Sequence, residues 1–270
     1  MRAEVWRQVW PEVRADGALS AGSPALHAQR LVQVYQALAR RGDHLLAPLL
    51  DGRPPVQWAH YPDDDALYAQ RRYQWYYHSH SLVDRPGAAE HGHFHLFART
   101  DARRSVIDPA AEALFLKRLG APDSAARTRH LLAIGMSSVG VPISLFTVNR
   151  WVTGDLLLSS ANSLRLLEAL SLDTGQPGID RLIISLVGLC MPQVRALFRE
   201  RDRRLYARAR RGPGVLDDEA LEVLSERAID LDRRIASATR NQGRGVPPAT
   251  TRRRPIRPTR ADRCTRTDPR

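Results

Sequence analysis

Apolar positions recur along this chain in two rhythms, one of about 3.6 residues and one of two, and the switches between them mark out its elements. Over residues 27–41, Leu31, Val32, Val34, Tyr35, Leu38 and Ala39 share a helical face, and Gly42 ends the run. Gly52, Pro54, Pro55 and Pro62 punctuate a connector that ends at HYPDDD, where His60 and Asp63 to Asp65 read either as extra ligands or as the acidic start of a helix. Four stretches rich in aromatic and β-branched residues follow, at 73–80, 93–99, 130–138 and 142–151. They predict a small antiparallel sheet of about four strands, with a helix over 109–119 crossing between its halves. After WVTGD the helical period returns, with Ser159 or Ser160 as cap and Leu164, Leu166, Leu167 and Leu170 as the apolar stripe. Two longer helices are predicted next, over 179–211 with a kink or restart at Pro192, and over 217–238, with RGPG between them.

The fold class read from this pattern is α+β. Residues 1–175 form an α+β domain in which helices pack the sheet, 176–238 a helical hairpin packed on it, and 239–270 a disordered tail rich in Arg and Pro. The uncharged run 131–148 has the length of a membrane span. Ser137, Ser138, Gly140 and Pro142 interrupt its middle, so it reads as two buried strands joined by a turn, and no membrane segment is expected. The opening MRAEVWRQVWPEVRADG lacks the apolar stretch of a secretory signal, and the two cysteines, Cys190 and Cys264, differ in context and are far apart. A cytoplasmic protein without disulfides is expected, with Cys190 as a core thiol.

Charge narrows the choice of partner. The net charge is +12, but ten arginines against Asp262 and Asp268 place +8 of it beyond residue 239, which leaves the body nearly balanced. Residues 195–211 carry eight arginines, and 217–234 carry seven acids against three arginines, so the basic and acidic helices are expected to neutralise one another. Nucleic-acid contact is confined to a weak, nonspecific, salt-sensitive role for the tail.

Candidate chemistry sits in YYHSHSLVDRPGAAEHGHFHLF, residues 76–97, which holds five of the nine histidines. Strand alternation puts His78 and His80 on one face, and His93 and His95 likewise, with Trp75, Tyr77, Phe94 and Leu96 on the other face as core. Paired in register, four imidazoles stand about 5 Å apart across the strands and about 7 Å apart along them. That patch is small enough for ring nitrogens to meet one ion at about 2.0 to 2.1 Å. The expected metal ligands are therefore His78, His80, His93 and His95, with zinc or iron as the divalent metal. Glu90 is the candidate fourth ligand or general acid/base, in a loop that also carries Asp84 and Arg85. Arg150, in VNRWVTGD with Asn149, Thr153 and Asp155, is the candidate for holding an anionic substrate, against turn and cap chemistry for that segment. The function expected is a metal-dependent hydrolase or oxygenase acting on a small polar molecule, and the non-enzymatic alternative is an interaction module with structural histidines.

Three resemblances bear on this. HxH followed by a glutamate and another histidine is similar to cupin-like metal sites, in motif and not in fold. HGHFHLF resembles the signature strand of histidine-triad nucleotide hydrolases and transferases, which implies His93 as nucleophile with His91 and His95 as supports, and no metal. HYPDDD, WYYHSH, EHGHFHLFAR and LFTVNRWVTGD together look like a bacterial family of unknown function defined by histidine motifs, over residues 59–155.

Overall fold

The computed structural model describes residues 22–50, 55–68, 70, 73–80, 90–100, 106–121 and 128–243. The opening segment, Asp84, Arg85, Cys264 and the Arg/Pro-rich stretch from 244 onward lie outside the described residues. Helix α1, Pro24–Arg40, starts where the Ser23 side chain accepts from the Leu26 N–H and Pro24 supplies a preset φ. A short turn of helix, α2 (Ala47–Leu50), leads to strands β1 (Tyr61–Tyr68), β2 (Tyr73–Ser79) and β3 (Gly92–Arg99). Helix α3, Pro109–Leu119, is capped by Asp108 at one end and by left-handed Gly120 at the other. Then come β4 (Thr128–Met136), β5 (Pro142–Val148), α4 (Arg150–Thr153), α5 (Ser160–Glu168), α6 (Pro177–Leu189), α7 (Met191–Ala209), β6 (Val223–Ala228) and α8 (Leu231–Gly243).

The strands form one open antiparallel sheet of six, side by side in chain order. The four expected strands are its centre. Strict alternation divides β2 and β3: Trp75 pairs with Leu96 and Tyr77 with Phe94 on one face, while Tyr76 pairs with His95 and His78 with His93 on the other. The first face joins Leu132, Ile134, Met136 and Leu145 in a core completed by Leu31, Val34 and Leu38 of α1 and Leu182, Ile183 and Leu186 of α6. Polar atoms fasten the helices to that face. Tyr73 donates to the Leu166 carbonyl at 2.7 Å, and the Trp75 indole N–H donates to Asp180 at 2.9 Å. The 131–148 run is the β4–β5 hairpin, and among the described residues no single helix is long and apolar enough to cross a membrane.

Two outer strands differ from expectation. HYPDDD is not a helix start: it opens β1, whose irregular register with β2 leaves Asp63 and Asp64 exposed. The first of the two long helices restarts close to the expected place, broken at Cys190 into α6 and α7 and bent by 75°. The second is corrected: in its first half a 3-10 turn at Val215–Asp217 leads into β6, which pairs with β5 through Thr147↔Ser225 and Leu145↔Arg227, and only its second half is helical, in α8. The Glu and Arg residues of β6 favour helix locally, but an unpaired β5 edge outweighs that preference. The charge pairing is shared more widely than expected, since Arg208 meets Asp218, Arg195 meets Glu168 of α5, and Glu200 meets Arg227 of β6.

Candidate metal centre

The sheet face opposite the core gathers the imidazoles. His78 and His93 are direct cross-strand partners, and their Nε2 atoms lie 2.7 Å apart. His95, two residues along β3 on the same face, brings its Nε2 to 2.9 Å from that of His93. His80 follows the end of β2, its N–H donating to the His91 carbonyl, and its ring centroid is 4.9 Å from His78 and 4.8 Å from His93. One nitrogen from each of His78, His80 and His93 falls within 4.8 Å of the others, close enough for the three to hold one metal ion. The His95 ring centroid is 5.1 Å from that of His78 and 4.5 Å from that of His93. His78, His93 and His95 are buried, and His80 is partly so.

Glu90 stands behind His93, not beside the shared point. It accepts from His93 Nδ1–H at 2.6 Å, which leaves the Nε2 lone pair of His93 directed at the other rings. A carboxylate on the far nitrogen of a ligating histidine fixes its tautomer and strengthens it as a donor. Space for Glu90 comes from Gly135 on β4, opposite His93: a Cβ there would sit 2.5 Å from Glu90 Oε2 and 2.3 Å from Ser144 Oγ. Phe146 of β5 closes that flank, edge-on to His93 with centroids 5.0 Å apart.

His130 was not among the expected site residues. It is buried, and its Nε2 lies 2.9 Å from His95 Nδ1. An irregularity in β3–β4 pairing puts it there: Leu96 faces Leu132, but Phe97 faces His130, so Leu131 is an extra residue that shifts the alternation. Burial, and then the charge of Arg201, holds His130 down at a pKa of about 3, so it is neutral across the physiological range. Burial also pushes His95 well below the usual histidine value, with His93 and His130 adding to the effect.

The remaining expected residues lie elsewhere. His91 turns to the core side of the sheet, where its Nδ1 is 2.7 Å from the Tyr77 hydroxyl. Gly92 permits this, because a Cβ there would meet the same hydroxyl at 2.5 Å and the His78 carbonyl at 2.3 Å. The three histidines of HGHFH therefore do not share a face as a histidine triad requires. Arg150 is paired with Asp217, and Asn149 caps α4 through its side chain, so this segment does turn and cap work. Asp155 is half-buried, and burial raises its pKa against the pull of Arg129. At the rim, His60 stacks on Tyr76 with centroids 3.7 Å apart and meets Asp65 at 2.9 Å, while exposed Trp58 stands edge-on to His78 and His80.

Residues 25–229 match the model of DUF6969, a domain of unknown function. The chain belongs to this family. The DUF6969 span is wider than the motif-bearing 59–155 and contains all six strands together with every residue of the histidine cluster. No curated protein and no solved structure matches the chain.

Proposed function

We propose that this DUF6969 domain holds one divalent metal, zinc or iron, on His78, His80 and His93 and uses it on a small polar substrate. The observation that carries the reading is the convergence of imidazole nitrogens at a buried point, 2.7 Å between His78 and His93 and 2.9 Å between His93 and His95. Tetrahedral zinc at its usual bond length separates ligand nitrogens by about 3.3 Å, so His78 and His93 need spread only by about half an ångström to admit it, with His80 within 4.8 Å of both. Without an ion, a neutral His93 whose Nδ1–H is given to Glu90 has one Nε2 lone pair for both His78 and His95. A cation satisfies every ring at once.

Three imidazoles leave zinc one position for a water whose proton is then lost near neutral pH, which suits hydrolysis. Iron in the same shell suits oxidation of the substrate. Elemental analysis of the chain purified without a histidine tag tests the proposal. About one zinc or iron per chain is expected, and the His78→Ala, His93→Ala double variant should lose it while remaining folded. Metal-free wild-type protein, with a double variant that unfolds at the same temperature, would overturn the reading.

A further inference from the structure

We propose that His95 is a fourth metal ligand and that His130 is the positioning residue that makes it one. This rests on the metal reading above: it extends the ligand triad to His95, which the HxH spacing offers, and adds His130, which that spacing does not identify.

Both ring nitrogens of His95 lie close to another imidazole. Its Nε2 is 2.9 Å from His93 Nε2, at the shared point, and its Nδ1 is 2.9 Å from His130 Nε2. One proton is divided between those two sites in a neutral ring. If His130 donates, the proton of His95 sits on Nε2 and blocks coordination; if His130 accepts, the proton sits on Nδ1 and the Nε2 lone pair faces the ion. An ion at the shared point repels an N–H aimed at it and selects the second arrangement.

The surroundings hold this pair in place. His130 rests edge-on against Phe97 with centroids 5.2 Å apart, and Phe97 and Tyr76 flank His95 at 6.0 and 5.2 Å. The extra residue Leu131 is what turns His130 to this face. In uninterrupted pairing Leu131 would oppose Phe97, and His130 would point to the core side with Leu132. The bulge therefore costs a regular ladder position and supplies an imidazole behind His95, just as Glu90 stands behind His93. With His95 as fourth ligand a tetrahedral zinc shell has no position left for the hydrolytic water considered above, so of the two metals six-coordinate iron, with two positions left for substrate, is the one this inference favours.

The test uses the untagged full chain. Zinc affinity is measured by competition with a chromophoric chelator for wild type, His95→Ala, His130→Leu and His130→Gln, and the cobalt-substituted proteins are compared by visible absorption. The expected results are a Kd raised about 10- to 100-fold by His95→Ala and by His130→Leu, with an altered cobalt spectrum in both. His130→Gln, whose amide oxygen can still accept from Nδ1–H, should recover most of the affinity and the wild-type spectrum. That rescue separates positioning from bulk packing, because the glutamine lacks the ring. Unchanged affinity and spectrum in His95→Ala would overturn the fourth ligand and leave the three-histidine site standing. Equal losses in His130→Leu and His130→Gln would overturn the positioning role. A wild-type chain that binds neither zinc nor cobalt would remove the metal reading itself, and this inference with it.

Discussion

Gly135 lies opposite His93 with no side chain of its own, and the space it leaves is occupied by Glu90 and Ser144. Gly135→Ala would push a methyl group to 2.5 Å from Glu90 Oε2 and 2.3 Å from Ser144 Oγ, far inside contact distance. The glutamate, on the more flexible stem, is expected to yield and release His93 Nδ1. Metal affinity should fall about 10- to 100-fold, and stability by about 1 to 3 kcal/mol from overpacking. Chelator competition and urea unfolding on the same preparation check both, and an affinity equal to wild type would show that Glu90 does not orient His93. At this scale the sequence showed what alternation can show. His78, His80, His93 and His95 were legible because period two puts each pair on one face. Gly92, Gly135 and His130 were not, because the reason for each lies outside its own local pattern: a tyrosine hydroxyl on β2, the Glu90 carboxylate ahead of β3 and a bulge in the β3–β4 pairing. Arg150 looked like a substrate ligand because its partner Asp217 is 67 residues away in the chain.

The link between β2 and α6 runs through a buried carboxylate. Asp180 accepts from Trp75 Nε1–H and from the Thr174 hydroxyl on one oxygen, and from the Thr174 N–H on the other. Burial still outweighs those donors and raises its pKa from 3.8 to about 6. Between about pH 4 and pH 6 the folded chain therefore binds more protons at this site than the unfolded chain. Its contribution is complete below the unfolded value and is lost as pH rises through that window, by about 3 kcal/mol in all. Asp180→Asn removes the titration but turns an amide N–H toward the Thr174 N–H. The variant should be clearly less stable than wild type at pH 4 and close to it at pH 7. Unfolding curves that stay parallel between the two pH values would assign the pH dependence to other groups. Elements were legible in proportion to how much of their own pattern they carry. The central strands and α3 have core-facing residues in regular period, and the notional helix break near Pro192 appears as the bend at Cys190. Both outer strands were missed because they carry edge chemistry. β1 begins YPDDD, and β6 is VLSERA with Glu226, Arg227 and Ala228 exposed. Charged residues and Pro suit a strand with one free side and argue against a buried one.

Across the whole molecule, the sheet separates two tasks. One face carries the core and the helices α1, α6 and α8, and the other carries the imidazoles. The family span ends at residue 229, just past β6, so α8 lies outside it. Yet Leu231 is buried in the core, Ile235 and Ala238 pack on it, and Arg234 donates to the Leu189 carbonyl at 2.9 Å. A chain ending at residue 229 keeps every strand and every residue of the candidate metal site while uncovering the outer side of α1 and α6. Loss of one buried and two partly buried apolar side chains should cost about 3 to 5 kcal/mol, which for a domain of this size lowers the melting temperature by about 10 °C. A chain ending at residue 243 retains α8 and should melt with the full-length protein. Both should bind metal with wild-type affinity below their melting temperatures, because the ligands depend on the β2–β3–β4 register and not on α8. If removal of α8 instead abolished binding at a temperature where the sheet remains folded, stability and site would be coupled through the sheet, and the division of its faces into core and chemistry would have to be given up.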